Sequence, residues 1–168
     1  ALVTQVEVRI RAEQNINRGK AAIIKAYMLR NVVRDQETHP LKEVLTVTLN
    51  EEATYTPYVL GRLFAVLEGL QQSANPSINA TIRERYFNAA CATPALVFPT
   101  LLKLAQNHLN KLDGGLAVYY DKQLTMLYSR LTETLPKHMS LEDQGVFQLG
   151  YYHQKQALYT KKEEKNNG

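Results

Sequence analysis

The acidic residues and histidines are the side chains of this sequence that could bind a metal ion or transfer protons. Asp35, Glu37 and His39 stand together in the stretch DQETHP and could be imagined as the metal site of a nuclease. The other histidines are scattered along the chain without the spacing that metal ligands show. Because DQETHP is a polar break between two predicted helices, solvated loop residues are the better interpretation. A metal-dependent nuclease is therefore the weakest of three hypotheses for this chain.

Motifs of other catalytic chemistries are not found in the sequence. There is no glycine-rich phosphate loop, no paired-cysteine metal motif and no HExxH sequence. The single cysteine, Cys91, stands among alanines, which favours a small buried side chain over a nucleophile. One cysteine cannot form an internal disulfide, and this fits a reducing cytoplasm. We therefore predict a cytoplasmic, non-enzymatic binding or scaffolding protein that uses no metal and no cofactor.

Amide and amine side chains form a polar stripe on the predicted helix of residues 96–112. Four polar residues share the face opposite the apolar ones, and no acidic residue interrupts them: Lys103, Asn107, Asn110 and Lys111. Amines and amides without carboxylates are suited to bind phosphate oxygens. The alternative is an ordinary face that meets only water.

A second polar stripe is predicted on the last helix, where tyrosines alternate with lysines. Its members, spaced three or four residues apart, are Gln148, Tyr152, Lys155, Tyr159 and Lys162. Rings that stack on bases and ammonium groups that neutralise phosphates are typical of a surface that binds nucleic acid. Long amphipathic side chains can equally cover a neighbouring helix. The residues alone favour neither of these two interpretations.

Small residues recur at every fourth position on the predicted helix of residues 57–74. Gly61, Ala65 and Gly69 lie opposite the apolar arc of this helix, and Arg62 lies beside them. Glycine lowers helix stability by roughly 1 kcal/mol relative to alanine, so the stripe indicates that something approaches the backbone closely. Another helix is the favoured partner. The alternative is a sugar-phosphate backbone laid along the stripe, with Arg62 as its counter-charge.

An arginine falls inside the apolar arc of the helix predicted for residues 78–91. Arg83 points between Phe87 and Ala90 in this arc. Arg85 lies at the edge of the same arc. Because a buried guanidinium without a partner is too costly to keep, Arg83 has two possible explanations. Either it pairs with a carboxylate on a neighbouring helix, such as Glu68, or this side of the helix is an interface.

Hydrophobic periodicity and capping residues predict an all-α fold. The predicted helices cover residues 2–13, 18–34, 57–74, 78–91, 96–112, 116–131 and 141–160. The predicted starts are at Thr56-Pro57, Ser77, Thr93-Pro94 and Ser140 with Asp143, and the predicted breaks are at Asn75-Pro76 and Gly114-Gly115. The stretch LTVTL alternates in polarity and could be a short strand or an extended linker.

Short turns between the helices predict one antiparallel bundle of about five helices in residues 44–160. A helical extension or linker is predicted in residues 1–43, and a disordered tail in residues 161–168. No apolar run approaches the length that a membrane-spanning helix needs, and we expect no contact with a membrane.

The positive charge of the chain is unevenly distributed. Of a formal net charge of +4, residues 1–43 hold +3, from eight Lys/Arg and five Asp/Glu. Residues 44–168 hold +1, from twelve Lys/Arg and eleven Asp/Glu. The larger part thus has no strong overall field that would attract polyanions. Nucleic acid could bind there only through segregated patches of positive side chains.

Four long stretches of the sequence resemble one known family. They are LGRLFAVLE (60–68), ANPSINATIRERYFNAACATPALVFPTLLKLAQNHLNKL (74–112), MSLEDQG (139–145) and GYYHQKQALY (150–159). Together they are similar to the C-terminal region of the large subunit of the type I-C CRISPR Cascade complex. The similarity spans roughly residues 21–159, in order and with the right separations.

The resemblance implies a helical bundle that is the tail domain of the large subunit and is also made separately as the small subunit. Small subunits of this family stack along the RNA-guided complex, help to hold the guide–target heteroduplex and the displaced strand, and have no catalytic activity. The implied partners are the large subunit, the backbone subunits, copies of the chain itself, guide RNA and target DNA. Cleavage belongs to a separately recruited helicase-nuclease.

Polar residues within the matching stretches are the candidates for contacts with nucleic acid or protein. They are Arg62, Arg83, Arg85, Lys103, Asn107, Lys111, Tyr152, Lys155 and Gln156, and Lys162 is added from its helix face alone. Two hypotheses stay open for them. The first is a subunit that holds nucleic acid. The second is a protein scaffold without direct nucleic-acid contact, in which the glycine stripe and Arg83 form subunit contacts.

Overall fold

Five α-helices make up the computed structural model, which describes residues 48–131 and 134–166 and the side chains among them up to Tyr159. The helices are α1 (Thr56–Ala74), α2 (Ile82–Ala92), α3 (Pro94–Leu109), α4 (Gly114–Ser129) and α5 (Leu141–Asn166). No strand occurs in these residues, so the all-α prediction is confirmed. The predicted helical extension of residues 1–43, the DQETHP stretch and most of LTVTL lie outside the described residues.

Residues at the helix ends explain where most of the helices begin. Pro57 stands in the first turn of α1, where a missing N–H group costs nothing. Ser140 caps α5, because its hydroxyl oxygen accepts a hydrogen bond of 3.1 Å from the Asp143 backbone N–H. The predicted cap at Ser77 is wrong. α2 begins at Ile82, after Thr81, whose backbone N–H donates to the Glu84 carboxylate at 2.8 Å.

Gly114 and Gly115 begin a helix instead of ending one, which corrects the prediction of a break there. Both are the first residues of α4, and neither has a positive φ angle. α3 ends at Leu109 without a glycine, because the Asn110 and Lys111 N–H groups bond back to carbonyl oxygens of the last helical turn at 3.1 Å. Asp113 precedes the new helix.

The core is built around α1, which contacts each of the other four helices. Nearly all of its side chains are buried, so α1 is enclosed on nearly every side instead of along one stripe. The buried aromatic residues of the core come from α1, α3, α4 and α5, and they include Phe64, Phe98, Tyr120, Phe147 and Tyr151. Phe64 contacts the rings of Phe87, Phe147 and Tyr151 in edge-to-face arrangements.

α1 and α5 run in the same direction, and they are the most extensively packed pair. Tyr55, next to the start of α1, bonds to Asp143 near the start of α5, whereas Gly69 lies against Leu158 further along both helices. When successive helices alternate in direction along the chain, the first and the fifth helix point the same way. The predicted antiparallel bundle therefore contains a parallel pair at its centre.

Glycine allows the backbones of α1 and α5 to touch where they cross. A Cβ atom on Gly61 would stand 1.9 Å from the Phe147 carbonyl oxygen, and one on Gly150 would stand 2.2 Å from the Tyr58 carbonyl oxygen. Neither position has room for any other side chain. The small-residue stripe of α1 thus packs on a helix of the same chain, which agrees with the favoured interpretation and not with a bound sugar-phosphate backbone.

α5 is longer than the sequence predicts. Its helical backbone continues to Asn166, six residues past the expected end at residue 160 and into the predicted disordered tail. Among the residues that the structure describes, no helix is both long and apolar enough to cross a membrane.

Candidate nucleic-acid interface

The sequence-predicted site residues separate into an exposed group and an enclosed group. Arg85 on α2, three residues on α3 or just after it, and Gln156 on α5 are exposed. Arg62 on α1 and Tyr152 on α5 are buried, and Arg83 and Lys155 are partly buried. The side chain of Lys162 lies outside the described part of the chain. The structure therefore does not bring the predicted residues together on one surface.

The outward face of α3 carries exposed polar groups at helical spacing. α3 buries Val97, Leu101 and Ala105 toward α1, and this fixes the opposite side toward solvent. The exposed polar residues of that side and of the turn after it, named here the α3 strip, are Lys103, Gln106, Asn107, Asn110 and Lys111. No carboxylate occurs anywhere from Pro94 to Leu112. The strip can therefore donate several hydrogen bonds to oxygen anions without competing acids.

Gln106 belongs to this strip although the sequence reasoning did not include it. It stands three residues after Lys103, a spacing that places two side chains on the same side of a helix. This spacing can be read from the sequence, so Gln106 could have been included in the predicted stripe. Lys111 is held at one end of the strip, where its Nζ lies 3.5 Å from the Asn75 Oδ1 atom at the end of α1.

His108 lies beneath the strip and adds no charge to it. Its Nδ1 atom lies 3.4 Å from the Asn75 amide nitrogen, and its Nε2 atom is buried without a partner. Burial lowers the pKa of His108, and the positive charge of Lys111 lowers it further. The imidazole is therefore neutral at neutral pH. The prediction of a core histidine with satisfied polar atoms holds only in part, because one ring nitrogen has no partner.

Arg62 is enclosed, which corrects its prediction as a counter-charge on an open stripe. Its side chain is fully buried, and its Nε–H donates to the Gln154 Oε1 atom at 3.0 Å. Its Nη1 group donates to the carbonyl oxygens of Asn50 and Glu51 at 3.1 and 3.0 Å. Burial lowers the pKa of the guanidinium, yet arginine stays protonated at any physiological pH. Arg62 therefore fastens the segment before α1 onto the α1–α5 pair.

Further contacts fasten the same segment. The Asn50 N–H donates to the Tyr58 hydroxyl at 3.2 Å, and that hydroxyl lies 2.8 Å from the His153 Nδ1 atom. Arg130 forms an ion pair of 3.1 Å with Glu52. The contacts of Tyr58 with His153 and of Glu52 with Arg130 have no local sequence signal, because these partners are far apart along the chain.

Glu68 is the buried acid of the α1–α5 pair, and Lys155 is its ionic partner. The Glu68 carboxylate accepts hydrogen bonds from the Tyr151 hydroxyl at 2.6 Å and from Lys155 Nζ at 3.1 Å. Burial raises the pKa of the Tyr151 hydroxyl, and the neighbouring carboxylate raises it further. Tyr152 is 7% exposed and packs against the Tyr151 ring. For these residues of α5, covering a neighbouring helix is the interpretation that the structure supports.

Arg83 does not form an ion pair with Glu68, which was the first of its two predicted explanations; an interface on this side of the helix stays a prediction. Its guanidinium carbon lies 5.7 Å from the centre of the Phe87 ring and 5.8 Å from that of Tyr151. It forms no ion pair with any described residue, because Glu68 is paired with Lys155 instead. Its Nε atom is buried without a hydrogen-bond partner. Two aromatic rings thus hold a partly buried cation at the junction of α1, α2 and α5.

Cys91 is buried and not poised for catalysis, as the sequence predicts. Burial raises the pKa of its thiol to about 12, so the reactive thiolate is scarce at neutral pH. Its sulfur donates weakly to the Gln144 carbonyl oxygen at 3.4 Å. Among the side chains that the structure describes, in residues 48–131 and 134–159, no three His, Cys, Asp or Glu residues are grouped so that they could hold a metal ion.

Comparison with known families gives a context to this helical bundle and its exposed polar residues. Residues 1–159 match the model of the family described as CRISPR-associated protein (Cas_Csd1). The chain therefore belongs to this family and is a CRISPR-associated component. Among curated proteins, none matches the chain.

Proposed function

We propose that this chain is a non-catalytic subunit or domain of a type I-C CRISPR RNA-guided surveillance complex. In this role it contacts the backbone of the guide–target heteroduplex or of the displaced strand and stabilises the R-loop. The observation that carries the proposal is the α3 strip, an exposed run of amines and amides in a segment without acids. In RNA-guided complexes base pairing reads the sequence, so the protein needs only backbone contacts of this kind.

The geometry of the strip suits a backbone and not a base. Lys103 and Lys111 supply positive charge, and the amides between them can donate hydrogen bonds to phosphate or sugar oxygens. Aromatic rings that could stack on bases are not exposed on this face, because the nearby phenylalanine, Phe98, is buried. Binding by the strip should therefore be independent of base sequence and should weaken steeply with salt.

The test is the salt dependence of binding by the full chain to a poly-dT oligonucleotide and to an RNA–DNA heteroduplex. Each lysine that contacts a phosphate of a single strand contributes about 0.7 to the slope of log K against log salt. Replacing Lys103 and Lys111 together by glutamine should therefore lower the slope by about 1.4. The matched control is Lys122→Gln, which removes an exposed lysine of α4. An unchanged slope in the double variant would show that the α3 strip does not contact the nucleic-acid backbone.

A protein scaffold without nucleic-acid contact is the second candidate, and one observation favours it. Leu96 and Leu141 are 74% and 86% exposed, and both lie near the turn between α2 and α3. There the Met139 N–H donates to the Ala92 carbonyl oxygen and the Ala95 N–H donates to the Pro136 carbonyl oxygen. Large exposed apolar side chains are typical of surfaces that bind other proteins.

The scaffold candidate is tested by replacing Leu96 and Leu141 with serine. If these leucines mediate assembly, the variant should fold normally but should no longer enter the CRISPR complex on size-exclusion chromatography. Its binding to poly-dT should be unchanged, because the substitutions remove no charge. Assembly of the variant at the wild-type level would argue against this candidate.

A further inference from the structure

The middle of α5 is buried on every side, including the side that points away from α1. Six consecutive residues, from Leu149 to Gln154, are all buried. Six residues cover about one and a half turns of an α-helix, so no side of this segment is left exposed. A helix that packs on a core with one side has an exposed polar side opposite. The middle of α5 therefore needs neighbours on more than one side.

Leu149 lies on the side of α5 that α1 does not reach. The residues of α5 that contact α1 are Phe147, Gly150, Tyr151 and Gln154. At about 100° per residue, Leu149 points roughly 150° away from the centre of this set. Its side chain is nevertheless fully buried, and so is that of Val146, three residues earlier. Packing against α1 does not explain the burial of Leu149.

α2, the other helix that packs on α5, does not cover Leu149 either. Of the five described helices, only α1 and α2 pack closely on α5. The Phe87 ring of α2 lies against the Tyr151 ring, and the Cys91 thiol bonds to the Gln144 carbonyl oxygen. Tyr151 and Gln144 are each roughly 150° from Leu149 around α5. The chain therefore buries Leu149 with residues that lie outside the five described helices.

The segment before α1 leads to this side of α5. The Asn50 N–H donates to the Tyr58 hydroxyl, which lies 2.8 Å from the Nδ1 atom of His153, four residues after Leu149. The segment before α5 is held elsewhere, because it is hydrogen-bonded to the Ala92 carbonyl oxygen at the end of α2. The part of the chain before residue 48 therefore joins the described part next to the buried outer side of α5.

We propose that residues 1–47 of the same chain cover this side of α5, and that the apolar helix predicted in residues 18–34 packs on it. The docking surface, named here the α5 outer face, consists of Val146, Leu149 and His153. These residues are spaced three and four apart, so they form one stripe along the helix. The inference goes beyond the proposed function and does not depend on nucleic-acid binding.

Composition, charge and chain length each support residues 18–34 as the occupant. This segment contains large apolar side chains, such as Ile23, Ile24 and Leu29, that need a buried surface. Residues 1–43 hold a charge of +3, whereas the first turn of α5 is acidic. The thirteen residues from 35 to 47 can span at most roughly 45 Å. The α5 outer face is roughly 10 Å long, so the predicted helix can reach all of it.

The first test is a methyl NOE experiment on the wild-type full chain. The Leu149 methyl groups should show cross-peaks to methyl groups of residues 18–34, whereas those of Leu141, which is 86% exposed, should not. Cross-peaks from Leu149 only to residues 48–166 would overturn the inference. Cross-peaks that appear between differently labelled chains in a mixed sample would also overturn it, because a second copy would then cover the face.

The second test measures how well residues 18–34 are held. Leu149→Ala in the full chain should speed trypsin cleavage after Lys25, Arg30 and Arg34 at least about tenfold, because loss of a buried leucine side chain weakens local packing. Leu141→Ala is the matched control on the same helix and should not change these rates. Equal rates in the two variants, or an equal acceleration after Lys103 on α3, would contradict the inference.

Discussion

The α3 strip and the interface between α1 and α5 contain the same types of polar residue. These residues are exposed in the strip, whereas in the interface they bond to other residues of the bundle. On α3, lysines and amides face solvent and have few partners within the chain. Between α1 and α5, Arg62, Glu68 and Lys155 have hydrogen-bond partners inside the bundle. A positive side chain in a helical stripe therefore indicates a ligand surface only when no second helix covers that stripe.

The difference arises from how closely the neighbouring helix approaches. α1 and α5 touch through their backbones at Gly61 and Gly150, so every side chain near the crossing is enclosed. α3 packs on α1 and α2, and the residues of its opposite side are exposed in the part of the chain that the structure describes. Substitutions should therefore change folding strongly at the crossing and ligand binding at the strip.

The largest effect is expected at the helix crossing. Gly61→Leu would force α1 and α5 apart, because even a Cβ atom there overlaps the Phe147 carbonyl group. We expect a loss of more than about 3 kcal/mol of unfolding free energy, or no folding at all. Urea denaturation followed by circular dichroism measures this. Gly115→Leu is the matched control, because a Cβ atom there meets nothing within 4 Å, and a similar loss in both variants would contradict the account.

Two arginine substitutions compare an enclosed side chain, Arg62, with an exposed one, Arg85. Arg62→Ala removes the side chain that donates to the carbonyl oxygens of Asn50 and Glu51 and to the buried Gln154 side chain. We expect it to lower the unfolding free energy by about 3 kcal/mol. Arg85→Ala removes an exposed side chain and should change the unfolding free energy by less than about 0.5 kcal/mol. Equal losses in urea denaturation would mean that Arg62 is not enclosed as described.

The reactivity of Cys91 tests enclosure next to α5 without a substitution. Burial raises its pKa from 9.0 to about 12, so at mildly alkaline pH the native thiol should react at least about a hundredfold more slowly with iodoacetamide than the same chain in urea. Between pH 9.0 and about 12, the Cys91 thiol is deprotonated in the unfolded chain but still protonated in the native chain. The unfolded chain therefore binds fewer protons, and the contribution of Cys91 lowers the free energy of unfolding as the pH rises. Equal rates in the native and unfolded chain would show that the site is open.

The smallest effect on folding is expected on the α3 strip. Lys103→Gln should change the unfolding free energy by less than about 0.5 kcal/mol, because the side chain is exposed. Its effect should be seen in the affinity for poly-dT, most clearly at low salt, where electrostatic contacts are least screened. Urea denaturation and fluorescence anisotropy on the same samples separate the two effects. A destabilised variant would place Lys103 in the fold instead of on the ligand surface.

Local signals in the sequence were sufficient for much of the fold. The proline at the start of α1, the Ser140 cap of α5 and the apolar periodicity of α3 each depend on residues within one helix, and the structure confirms them. The start of α2 was misplaced because Ser77 and Thr81 are both possible caps. Only Thr81 has Glu84 three residues later to complete the capping box.

The functional residues could not be separated from the structural ones by the same means. Arg62 and Arg85 both look like accessible cations on a helix, and only the position of α5, about ninety residues further along the chain, distinguishes them. Gly61 indicated a close neighbour but not which one, because the backbone that it touches, at Phe147, is almost as distant in sequence. The α3 strip was predicted correctly as an exposed face because α3 has a single buried side.

The central claim is that the lysines of the α3 strip are covered when a nucleic acid binds. Lysine footprinting with an amine-specific reagent, read by mass spectrometry with and without poly-dT, tests it on the full chain. The account predicts that Lys103 and Lys111 become protected, that Lys122 reacts equally in both samples, and that Lys155 reacts slowly in both because it is paired with Glu68. Unchanged reactivity of Lys103 and Lys111 in the presence of bound poly-dT would contradict it.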